Sequence, residues 1–375
     1  MKKVPFMGQG EINYVGWLGH ENIGDQALYV SVQKSFNMYR LVPYIGNQYS
    51  QILLVGGGTL LPNDVTMVKP SKYNYVFGAG VKNPSYWGVR HIHFDPRVLE
   101  RLKSFKFRFL GVRGNISRDL LKTWGINSEV IGDPCLSLKA NADVKRNDKK
   151  IAISIGSDGL VWGGDEERAL RQIAKVCKIL KKDGYHPILI PFWRNNLQVI
   201  NRLSMAENIH VFNNWFDIKS VLNLIASCKI LIGEKLHSLV FSAAAYTPFI
   251  CLEYRPKCFD FAETVGYAKH CIRTDKITAE RIMMMFEGLI NNWQEMHNEL
   301  VTKVNMYRKK QKEFATRIIA DIESLPNDKW LTPSIVEKLK KKIFWDMDIL
   351  LHRNMSNIWR TWDRLFFRHI MRYLT

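Results

Sequence analysis

A chain of 375 residues, 46% apolar and 12% aromatic, can bury more than one core, which excludes a disordered or low-complexity protein and makes two domains the expectation. The formal charge of +19 calls for an anionic partner, either nucleic acid, an anionic membrane surface or a phosphorylated substrate. Six cysteines (135, 177, 228, 251, 258 and 271) form no CxxC pair and no metal-ligand spacing, so they read as reduced core thiols and no metal site is expected.

In chain order, residues 12–18 (INYVGWL) read as a strand, 24–36 as a helix and 51–57 (QILLVGG) as a second strand. Strand-like runs continue at 73–80, 91–94, 107–113 and 128–134, with helices at 98–105 and 116–125. Short apolar strands ending in glycine, with helices between them, indicate a parallel sheet covered on both faces. The polar run KANADVKRNDKK (139–150) is the expected linker. A second series follows, with strands at 150–156, 186–192, 209–213, 229–233 and 249–254. Its helices fall at 166–183, 195–206, 217–227 and over the apolar run 239–245. Residues 279–322 look helical and amphipathic, suited to bracing the two units. The fold class is therefore α/β, with two Rossmann-like, doubly wound parallel-sheet domains at 1–140 and 150–325 and a tail at 331–375. Such sheets take ligands at the carboxyl ends of their strands, in the cleft between domains.

Four segments stand at such strand ends. In GHENIGDQAL (19–28), Asn22 or Asp25 is placed to cap the next helix. In VGGGTLLPND (55–64), Gly56, Gly57 and Gly58 permit close ligand approach, although the spacing fits neither a Walker loop nor a dinucleotide fingerprint. In GVRGNISRDLL (111–121), Arg113 ends a strand, where a guanidinium either forks onto phosphate or carboxylate or pairs with an acidic neighbour. In GEKLHSLVFSAAAYTPFICLEYRPK (233–257), Lys235 and His237 open a helix, and Arg255 and Lys257 follow the next strand. These charges are expected at the rim of the apolar helix, facing the cleft, where a helix N-terminus favours an anion. Taken alone, a histidine there is more often structural than catalytic. Cys258, nearby, has no chemical role expected of it.

The motifs GHENIGDQAL, GGGTLL, GVRGNIS, IGDP and KLHSLVFSAAAYTPFICLEY occur in the order seen in polysaccharide pyruvyl transferases, and the chain resembles that family over residues 12–320. The resemblance implies a GT-B-like fold and transfer of pyruvate from phosphoenolpyruvate (PEP) to a sugar as a ketal. It implies His237 as the acid that protonates the PEP methylene, with no cofactor beyond the donor substrate. Arg113 and Lys235 take the places of the two donor-binding arginines. Lysine at 235 replaces a bidentate fork by a point charge, and Arg255 and Lys257 are the candidates to supply the missing donors. The acceptor, a glycan or lipid-linked oligosaccharide, falls on the N-terminal domain near Asn22, Asp25 and Gly56 to Gly58.

The tail has a separate character. Its 45 residues hold nine Lys or Arg against four Asp or Glu. Trp359, Trp362 and Phe366 lie on the apolar face of a helical repeat, with Arg360, Arg364 and Arg368 on the other side. That is the pattern of an interfacial helix on an anionic membrane, or of a helix packed on a partner subunit, which leaves a homo-oligomer open. No nucleic-acid module accompanies the charge. The opening MKKVPFMGQG lacks an apolar signal core and no apolar run reaches the roughly 20 residues of a membrane span, so the expected location is cytoplasmic, peripheral on the inner face of the cell membrane. Two other readings stand beside pyruvyl transfer: a GT-B glycosyltransferase with a nucleotide-sugar donor, and a non-catalytic membrane-bound assembly factor.

Overall fold

The computed structural model describes residues 10–44, 50–58, 61–62, 65, 68–83, 96–156 and 161–326. The strand expected at 91–94 and the tail, with Trp359, Trp362, Phe366 and its arginines, lie outside the described residues. The first sheet holds β1 (Gly10–Val15), β2 (Tyr39–Pro43), β3 (Ile52–Gly56), β4 (Tyr73–Ala79), β5 (Phe109–Val112) and β6 (Glu129–Val130). All pairings are parallel, in the order β2-β1-β3-β4-β5-β6. Helices α1 (Ile23–Ser35), α2 (Pro96–Ser104) and α3 (Asn115–Thr123) connect them.

The second sheet, also parallel, holds β7 (Asn147–Ser154), β8 (His186–Leu189), β9 (His210–Val211), β10 (Cys228–Gly233), β11 (Phe249–Glu253) and β12 (Cys271–Arg273). Its order is β12-β11-β10-β7-β8-β9. The crossovers are α4 (Glu166–Lys182), α5 (Leu197–Glu207), α6 (Ile218–Ala226), α7 (Leu236–Ala244) and α8 (Pro256–Thr264). Strand β3, ILLVG, is buried at every position, as expected where helices cover both faces. Each sheet reverses its direction of growth once, between β1 and β3 and between β7 and β10. In open parallel sheets of this kind, ligands bind at the carboxyl ends of the strands at such a switch point.

After the sheets come α9 (Ala279–Asn291) and α10 (Trp293–Glu323), so the single helical stretch expected at 279–322 is broken at Asn292. The 31 residues of α10 span about 46 Å at 1.5 Å per residue, enough to reach both sheets. Leu300, Val304 and Tyr307 pack into the core under the second sheet, and Phe314, Ile318 and Ile322 into that of the first. Arg108 of the first sheet grips Asp321 at 2.6 Å, and the Tyr75 hydroxyl donates to the same carboxylate at 2.6 Å. Arg308 donates to the carbonyls of Leu136, Leu138 and Ala244. Bracing, as read from the periodicity, is what this helix does.

Three elements escape the sequence reading. β2 (YRLVP) is a short edge strand carrying an exposed Arg40, β12 is three residues long, and α8 opens on proline directly after a strand. β7 begins inside the expected linker, because its polar first residues, NDKK, extend the strand beyond the apolar run.

Candidate active site

Glycine 233 ends β10, and the chain then turns into α7, nine residues that are all buried. The backbone N–H of Glu234 donates to Ser154 O (2.7 Å), and its carboxylate accepts from Gly156 N (2.8 Å), which ties the end of β10 to the end of β7. Lys235 occupies the N-cap of α7 in extended conformation. The charges of this segment do not sit on an open rim, as expected from sequence. Glu234 is 3% exposed, and Lys235 and His237 are each 8% exposed. The reason is that the first turn of α1, at Gly24, packs against the first turn of α7.

That covering is close. A Cβ on Gly24 would overlap the His237 imidazole, so only glycine lets α1 approach it. The His237 Nε2 is buried without a hydrogen-bond partner among the protein groups. Burial pushes its pKa down to about 3, with the positive charges of Lys257 and Arg113 adding to the effect. Charges at the start of α8 and just past β5 thus act on one imidazole of α7.

Arg113 is wholly buried. Its Nη1 donates to Gly58 O at 3.3 Å and lies 4.0 Å from Asp133 Oδ2, while Nε and Nη2 have no protein acceptor. Orphaned guanidinium donors in the interior are costly unless a ligand satisfies them. Asp133 follows β6. Its Oδ1 caps the turn at Pro134–Ser137 by accepting from Cys135 N (2.9 Å), and its carbonyl accepts from Gln311 of α10 (2.7 Å). Burial raises its pKa although Arg113 pulls the other way. Asp260 of α8 accepts from Ile116 N (3.0 Å), Ser117 N (3.3 Å) and Ser117 Oγ (2.6 Å), so the second sheet's helix caps the helix that follows Arg113.

The remaining cations gather round one ring. Lys235 Nζ, Lys257 Nζ and the Arg255 guanidinium lie 5.0, 5.1 and 5.2 Å from the centre of Tyr254, within cation–π range. Asn22 caps α1 by accepting from Gly24 N at 3.0 Å. Asp25, in the first turn of α1, has its pKa raised to about 7 by burial; Lys257 lowers it and Asp133 raises it further. The glycines of the 56–58 turn serve packing. Tyr14 Oη donates to Gly56 O (3.0 Å), Gly57 and Gly58 take positive φ (+69° and +62°), and Leu28 rests on Gly57. Gly58 reaches the site through its carbonyl alone, on Arg113.

The structure therefore brings together Arg113, His237, Lys257 and Asp25 from the sequence reading, and holds Lys235 and Arg255 beside them on Tyr254. Asp133, Tyr254 and Asp260 were missed. Asp133 stands in the IGDP motif, but a turn-capping aspartate and a site aspartate look alike in sequence. Asp260 carries no local signal, because its partners are more than 140 residues away.

Among the described residues, Asp133, Cys135 and His237 are the one group whose ligand atoms come within 4.8 Å of one another. Their surroundings do not fit a cation. Arg113 and Lys257 already supply positive charge there.

A family model for polysaccharide pyruvyl transferases matches residues 15–256, more than half of the chain. The chain belongs to this family. The match runs from the end of β1 to the first residue of α8, so Arg113, Asp133, Lys235, His237 and Arg255 of this pyruvyl transferase fall within it, and Lys257 falls just beyond. No curated protein matches the sequence. Among solved structures, a Listeria monocytogenes protein assigned as a UDP-N-acetylglucosamine 2-epimerase is similar at 13% identity and TM-score 0.54, over 84% of this chain and 96% of the other. The wall teichoic acid polymerase TagF (TM-score 0.47, 13% identity, 84% and 89% covered) and the Methanocaldococcus jannaschii UDP-GlcNAc 2-epimerase (0.46, 10%, 84% and 99%) are more distant. The first likeness agrees with the two-sheet GT-B-like architecture of this family member. No described helix is long and apolar enough to cross a membrane.

Proposed function

We propose that this pyruvyl transferase takes pyruvate from PEP and sets it as a ketal on a sugar of a surface polysaccharide or lipid-linked glycan. The observation that carries the reading is the buried Arg113, with two unsatisfied donors, electrostatically coupled to a buried His237 on the other sheet. PEP brings a carboxylate and a phosphate. Those are the acceptors that a guanidinium fork and a ring of lysines would satisfy.

The protons then follow from the site. In the free protein His237 is neutral at pH 7, because its pKa stands near 3. A bound trianion beside it favours the imidazolium, so the donor itself converts this residue into an acid. Proton transfer from the imidazolium to the PEP methylene leaves a cationic centre at C2, which a sugar hydroxyl attacks. Asp25, titrating near 7, takes the hydroxyl proton. Cleavage of the bond between C2 and the phosphate oxygen releases phosphate, which carries away the proton from Asp25; a second hydroxyl of the same sugar attacks C2 and closes the ketal, and its proton returns to the His237 imidazole. Asp133, between Arg113 and His237, is a positioning residue that holds the guanidinium and biases the imidazole toward its charged form.

The reading is tested by thermal-shift titration with PEP beside a panel of nucleotide sugars. PEP at 100 times its Kd should stabilise the protein by about 2.7 kcal/mol. Stabilisation only by nucleotide sugars would overturn the donor in favour of a glycosyltransferase. For Asp133→Asn, the alkaline limb of the pH profile of kcat, where the imidazolium loses its proton, should move down by about one pH unit at a nearly unchanged KM for PEP, since the charge that favours the imidazolium is removed. A uniform loss of activity at every pH would mean a purely structural aspartate.

A further inference from the structure

We propose that Trp17, with His20 and Trp193, forms a stacking platform for the pyranose ring of the acceptor, directly outside the cation cluster. The inference rests on the pyruvyl-transfer reading for its choice of ligand. Trp17 follows β1 at the topological switch point of the first sheet and leaves 51% of its surface exposed. Its ring lies 4.5 Å from that of His20, tilted by 36°. The His20 carbonyl accepts from Trp193 Nε1 at 2.8 Å, and the Trp193 ring faces Lys235 Nζ at 5.4 Å. Trp17, His20, Trp193 and Lys235 thus form a continuous path from solvent to the proposed donor.

The two loops that carry the path are fixed to each other. Asn22 and Trp193 form an antiparallel bridge, Ile23 N donates to Phe192 O (3.1 Å), and Arg194 pairs with Glu21 at 2.7 Å. The aromatic groups are therefore held by loops from both sheets, which preorganises them. An exposed indole offers a flat, weakly negative face. One side of a β-hexopyranoside presents axial C–H groups of the opposite polarity, and its rim of hydroxyls needs polar partners such as Asp25. PEP is small and charged throughout and has no use for such a surface. The platform consequently belongs to the acceptor. It orients the sugar so that the hydroxyl pair to be bridged points toward Lys235 and His237.

The test is saturation-transfer NMR on the full chain with PEP present, using methyl β-galactopyranoside, methyl β-glucopyranoside and methyl N-acetyl-β-mannosaminide as probes and uridine as the competing flat ring. Wild-type protein should saturate the C–H protons of one face of at least one hexoside. Trp17→Ala should weaken that binding about tenfold, and Trp17→Phe should restore most of it. The PEP thermal shift should be unchanged in both variants, because Trp17 does not touch the cation cluster. Equal transfer in wild type and Trp17→Ala would overturn the platform, as would transfer to uridine and to none of the hexosides. Loss of the PEP shift in the wild type itself would instead remove the donor reading, so the two failures are distinguishable.

Discussion

Replacing Arg113 by methionine is expected to abolish PEP binding while leaving the protein folded. The guanidinium is wholly buried, yet two of its nitrogens meet no acceptor and its ion pair with Asp133 is a loose 4.0 Å. A buried cation so poorly matched contributes little to folding, since its desolvation offsets its attraction to Asp133. Methionine fills similar space without the orphaned donors, and Asp133, whose pKa burial already raises, can take up a proton once the cation is gone. Stability should therefore shift by no more than about 2 kcal/mol in either direction. The donor loses its bidentate partner in a dry site, so its Kd should rise at least about 100-fold, some 2.7 kcal/mol. Urea unfolding and isothermal titration with PEP measure the two quantities on one preparation. Intact PEP affinity in Arg113→Met would remove this arginine from the donor site, and global unfolding would mean that its role is structural.

Substitution of His237 by asparagine carries the second large effect, on both rate and pH dependence. Loss of the proton donor should lower kcat by about 10²–10⁴-fold while PEP still protects the protein against heating. Stability provides a separate readout. The folded-state pKa near 3 lies below the ordinary 6.5, so as pH falls the unfolded chain takes up the proton first. The stabilisation is fully present above pH 6.5 and is lost as pH falls toward 3, by up to about 4 kcal/mol. Asp25, Asp133 and Asp260 have raised pKa values and push the opposite way over part of that range. The decisive quantity is therefore the difference between wild type and His237→Asn in urea at pH 7 and pH 4. Wild type should lose the larger amount. Equal slopes would place His237 in contact with water and remove the basis for its activation by the donor.

Much of the architecture was legible in advance because a parallel sheet buried on both faces writes itself as short apolar runs. The 51–57 and 249–254 runs are β3 and β11, and the 229–233 run is β10 with its glycine end. β2 and β12 stayed hidden because an edge strand of three to five residues needs no such run. At the site, Arg113 and His237 were legible as polar residues at strand ends, where ligands gather. Their burial was not. For His237 it depends on Gly24, in the first turn of α1, arriving from the other sheet, more than 200 residues away in sequence. Asp133 and Asp260 were invisible as site residues for the same reason, since an aspartate that caps a local turn and one that answers a distant arginine have the same sequence neighbours.

The sequence by itself thus determined the α/β class, the two sheet series, the bracing helix, the family and the cations at strand ends. All of these are written in local periodicity, in glycine placement or in motifs a few residues long. Tertiary structure alone decided which of those cations come close together, that burial lowers the His237 pKa, and that Asp133 stands beside it. It also decided that an exposed Trp17 packs against His20, whose carbonyl accepts from Trp193. Those properties come from burial and from charges brought close in space, and both are set by how two sheets and α10 pack, which no single stretch of chain encodes.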